Sequence, residues 1–73
     1  MQKVIGKIIE FDGMSGTLVD RDKNEYIFTH GDLENKDLKV GDIVVFEKEL
    51  FKTIDVQLNL ARFIKKMDRE KTR

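Results

Sequence analysis

Five short runs of β-branched and aromatic residues, each ended by a turn signal, constrain this chain more than any other feature. Lys3 to Phe11 carries Val4, Ile5, Ile8 and Ile9, with Gly6 placed where a bulge or bend would let a barrel strand coil. Gly16 to Val19 follows the turn Asp12-Gly13-Met14-Ser15, and the polar hairpin turn Arg21-Asp22-Lys23-Asn24 leads into Glu25 to Thr29. Gly31 to Gly41 shows no sustained period and reads as a long connection with a short helical turn around Leu33-Glu34-Asn35. Gly41-Asp42 opens a fourth run, Ile43 to Leu50. After a loop at Phe51 to Asp55, Val56, Leu58 and Leu60 alternate with Gln57 and Asn59 in the two-residue period of a strand. Short strands at this spacing bury their apolar sides best by closing into a barrel, which also removes sheet edges. The expectation is all-β, a small five-stranded antiparallel barrel.

Size and charge narrow the function classes. A single domain of 73 residues buries only about 60% of its unfolded surface, so its core is small. The chain has no cysteine, which excludes a disulfide framework and a thiolate metal site. No apolar run approaches membrane-spanning length and no signal-peptide pattern opens the chain, so the expected protein is soluble and cytoplasmic, with no membrane partner. The net charge of zero hides a split. Residues 1–60 hold eight Lys/Arg against twelve Asp/Glu, whereas residues 61–73 hold six against two. Nucleic-acid binders gain affinity when basic groups release counterions, so the acidic body works against that role and the basic tail favours it.

Several motifs resemble those of the cold-shock domain family. Gly6-Lys7-Ile8, Phe11 and Asp12 match that family's first strand, with Glu10 where a Trp is usual. Met14-Ser15-Gly16-Thr17-Leu18 corresponds to a shortened first ribonucleoprotein-type motif whose aromatics are gone. Ile27-Phe28-Thr29-His30 resembles the second motif, Leu38-Lys39-Val40-Gly41-Asp42 the approach to strand four, and Gln57-Leu58-Asn59-Leu60 the last strand. The resemblance implies an OB-type (cold-shock-like) barrel over residues 1–62, followed by a basic tail at 63–73 that is helical or disordered. It also implies weak, largely sequence-nonspecific binding of single-stranded nucleic acid, RNA more than DNA, through Lys7, Phe11, Tyr26, Phe28, His30 and Arg62. In such binding, bases stack on exposed rings over a positive groove, each stack contributing about 1–3 kcal/mol. Phe11 and Phe28 have an alternative reading as core aromatics. Phe46 reads as core and Phe51 as a loop anchor.

Two features point elsewhere. Ile43-Val44-Val45-Phe46 is apolar on both faces, so alternation turns Ile43 and Val45 outward, toward a protein partner, a second copy or the tail. That supports a second reading, an OB-fold protein-protein interaction or dimerisation module with reduced or lost nucleic-acid binding. In the tail, Leu60, Phe63, Ile64 and Met67 fall at helical spacings between Lys and Arg. It is either a short basic helix docked by its apolar face on the barrel or a partner, or a last strand that frays into a solvated charged end. Asp20, Asp22 and Asn24 copy the opening spacing of a calcium loop, but Glu25 holds the position that needs Gly, so a hairpin turn is the expectation. A single histidine and no cysteine leave no zinc cluster and no activated nucleophile, so neither an enzyme nor a cofactor is expected.

Overall fold

The computed structural model describes residues 3–67. Strands β1 (Lys3–Phe11), β2 (Ser15–Asp20), β3 (Glu25–Thr29), β4 (Ile43–Lys52) and β5 (Gln57–Lys66) close into a barrel in the order β1-β2-β3-β5-β4. All neighbouring pairs are antiparallel except β3 and β5, which run parallel through Ile27 and Leu60. This is the closed five-stranded barrel that the spacing of the runs led us to expect, and it is of the OB type. Ile8, Leu18, Tyr26, Phe28, Val44, Phe46, Ala61 and Ile64 point inward, and Leu33 and Leu38 from the β3–β4 connection complete the core. Each large side chain buried there contributes about 1.5–3 kcal/mol.

Two glycines allow the strands to close tightly. A Cβ on Gly6 would lie 2.5 Å from the Val19 carbonyl oxygen, and one on Gly16 would lie 2.3 Å from that of Glu10 and 2.7 Å from the Phe28 ring. Gly6 therefore serves inward packing, and the bulge expected there falls instead at Ile9, between the Ile8–Leu18 and Glu10–Thr17 pairs. The helical turn expected at residues 33–35 also sits earlier, as a 3₁₀ turn over His30–Asp32. It is closed by the Asp32 carboxylate, which accepts from the Thr29 backbone N–H at 2.9 Å and the Thr29 hydroxyl at 3.2 Å.

The C-terminal expectation needs the largest correction. The boundary drawn between residues 62 and 63 falls inside β5, which continues as strand to Lys66; the remainder of the tail, residues 68–73, lies outside the described residues. The apparent helical period has a different cause. Val45 pairs with Lys65 and Glu47 with Arg62, so Phe46 faces both Phe63 and Ile64 across a bulge. Phe63 takes a left-handed φ of 54°, and the extra residue brings Ala61 and Ile64, three apart, to the same interior. β4 also outruns the barrel. Its pairing with β1 ends at Glu47, while pairs with β5 continue to Lys52–Gln57, giving a two-stranded arm. Phe51 is therefore a strand residue on this arm and half-exposed, not a loop anchor.

Candidate functional site

An OB barrel reads oligonucleotides mainly on the outer face of its second and third strands. Strand β3 alternates strictly, with Tyr26 and Phe28 inside and Glu25, Ile27 and Thr29 outside. Phe28 is 1% exposed and Tyr26 2%, so neither ring offers a face for stacking, and both expected platforms are core residues. The reason is register: a shift of one residue in a strand moves every side chain to the other face. Phe28 packs over Gly16 and against Phe11, with ring centroids 5.5 Å apart, which also draws Phe11 half into the core. Tyr26 meets Phe46 edge-on at 4.9 Å.

The other expected contacts are separated from one another. Lys7 is exposed on β1, between Val19 of β2 and Ile43 of β4. His30 is exposed at the start of the 3₁₀ turn, its backbone N–H donating to the Met14 carbonyl at 2.7 Å. Arg62 is held by carboxylates, Nε at 3.2 Å from Asp32 and Nη1 at 3.4 Å from Glu49, so its charge is already answered. The outward row through Glu10, Thr17, Ile27, Leu60 and Glu49 brings acidic and aliphatic groups to the face where bases would stack. The half-buried Phe11 is the ring at its edge, lining a groove with Glu10, Thr17 and Ile27, and among the described residues the row itself holds no cation.

Aspartates organise the surrounding turns. Hydrogen bonds from the Ser15 and Met14 backbone N–H groups hold the Asp12 carboxyl below its ordinary value. Partial burial pushes Asp20 up, but bonds from Asn24, Tyr26 and the Asp22 N–H together pull it below the ordinary value. Burial and the bond to Asp20 push the Tyr26 hydroxyl up to about 12. The calcium-like spacing at Asp20, Asp22 and Asn24 is thus a hairpin turn built around the Asp20 carboxylate.

A second face, on β1 and β4, has the opposite character. Ile5 and Ile43 are 38% and 42% exposed and point outward, with Val19 and Val45 half-buried beside them. Cross-strand pairing sets Val19, Lys7 and Ile43 in one row, and Ile5, Val45 and Lys65 in the next. The sequence had indicated Ile43 and Val45; it missed Ile5 and Val19, although Ile5 lies between Lys3 and Lys7 in the outward parity of β1. Phe63 was missed as an exposed ring because its spacing resembled that of a helix.

Fold and surface together define an OB-type barrel with an acidic face on β2–β3, poor in exposed rings, and an aliphatic face on β1–β4. No protein-family model and no curated protein sequence matches this chain.

Proposed function

We propose that this barrel is a protein-contact module rather than a reader of single strands on its β2–β3 face. The observation that carries the reading is the inward turn of Tyr26 and Phe28, which leaves Thr17, Glu25, Ile27 and Thr29 where stacking rings would be needed. With the half-buried Phe11 as the one ring beside this face, a single strand forgoes about 1–3 kcal/mol for each other base, and Glu10, Glu25 and Glu49 repel its phosphates. The contiguous aliphatic residues of the β1–β4 face supply the apolar surface that marks a protein contact.

An NMR titration with oligo-U and oligo-dT at low salt tests this. The Lys7, Thr17, Ile27 and His30 amides should hold their shifts through millimolar oligonucleotide. Saturable shifts at these positions would refute the proposal and restore single-strand binding as the function.

A further inference from the structure

The aliphatic face has a cationic rim. Lys7 and Arg21 line a groove of about 300 Å³ together with Ile5, Val19 and Ile43. Lys65 stands beside Val45, and Lys3 beside Glu47, at the next two positions along β4. Among the described residues none of these four cations forms an ion pair; the ion pairs present use Lys39 and Arg62. Acidic groups are interspersed on this rim: Glu47 lies in register between Lys3 and Arg62, Glu34 lines a groove with Val45 and Lys65, and Asp22 one with Ile5 and Arg21. The Asp20 carboxylate at the groove edge is occupied by bonds from Asn24 and Tyr26.

We infer that this face docks an acidic amphipathic segment of another protein, its aliphatic side chains on Ile5, Ile43 and Val45 and its carboxylates on Lys7, Arg21 and Lys65. The inference rests on the protein-contact reading and adds the chemistry of the partner. Charge complementarity selects that partner over the alternatives. A second copy would have to offer its acidic β2–β3 face, a head-to-tail contact that builds rings or filaments rather than a two-fold dimer. A membrane surface is best gripped by several protruding Trp, Phe or Leu side chains, whereas this face offers Ile5, Ile43 and Val45 with the single ring of Phe63. Single strands would find cations here and one exposed ring, Phe63, which lines a groove with Lys3, Val45 and Lys65, but a lone platform contributes only about 1–3 kcal/mol.

The test uses a peptide alternating Glu with Leu, a Lys/Leu peptide of the same pattern, and a Ser/Leu peptide, each titrated into the full chain by NMR. The Glu/Leu peptide should shift Ile5, Val19, Ile43 and Val45, binding about tenfold more weakly at about 0.5 M than at about 0.05 M salt. The double variant Lys7→Glu/Lys65→Glu should lose at least about tenfold in affinity for it and gain the Lys/Leu peptide, an exchange that a merely destabilised fold would not produce. Equal binding of all three peptides would overturn the acidic preference while leaving protein contact standing. Binding of oligo-U or anionic vesicles at this face in place of the peptides, or concentration-dependent self-association through it, would overturn the inference.

Discussion

Phe28 and Ile27 are neighbours in sequence and opposites in the barrel, so truncating each in turn tests the register directly. Phe28 is 1% exposed and touches Phe11 and Gly16, whereas Ile27 is 42% exposed on the outer face. Removing a fully buried Phe ring costs about 3–5 kcal/mol in lost transfer energy and cavity. A chain of 73 residues has a total stability of about 4–11 kcal/mol, so Phe28→Ala removes about a quarter of it or more. Ile27→Ala forfeits only the buried part of its side chain, about 1 kcal/mol. Urea denaturation followed by circular dichroism should give midpoints in the order wild type, Ile27→Ala, Phe28→Ala. If Phe28→Ala does not fold, Phe28→Leu should still fall about 1–2 kcal/mol below wild type. A loss under about 1 kcal/mol for Phe28→Ala, or a larger loss for Ile27→Ala, would mean that β3 faces the other way.

Further outcomes follow from the same geometry. Gly16→Ala forces a methyl to within 2.3 Å of the Glu10 carbonyl oxygen and should destabilise by about 3 kcal/mol or more in thermal unfolding, since backbone cannot yield as a side-chain tip can. At Phe63, with its φ of 54°, the Gly variant should be more stable than the Ala variant by about 1 kcal/mol, the reverse of ordinary strand positions; Ala above Gly would show that the backbone there is unstrained. Asp12, Asp20 and Asp42 titrate below their ordinary value of 3.8 in the folded chain. Their stabilisation is therefore complete above about pH 4 and is lost as pH falls through their folded values, so the urea midpoint should decline there. Tyr26 is raised from 10 to about 12, so its contribution is complete below pH 10 and disappears between these values. Tyr26→Phe should abolish that alkaline step, and persistence of the step in the variant would assign it elsewhere.

Strand number, the turns and the closed barrel were legible in the sequence because they depend on local pattern: β-branched runs, Gly and Asp at turns, and a period of two. The outward placement of Ile43 and Val45 was legible for the same reason. What the sequence left open was parity. Ile27-Phe28-Thr29-His30 matches a binding motif as a string of letters, yet which of these residues face solvent depends on where β3 enters the barrel. That is decided by non-local contacts of Phe28 with Gly16 and Phe11 and of Tyr26 with Phe46. The tail fell to the same difficulty. A single extra residue at Phe63, opposite Phe46, turned a strand's period into one resembling a helix's.

The sequence by itself determined that this chain is one small β-barrel with an acidic body and a basic end. Only the tertiary structure decided which aromatics are core and which surface remains for binding. The alternation of a strand specifies two faces but not which of them is inside, and that choice is made when the strands close and the larger rings take the interior volume.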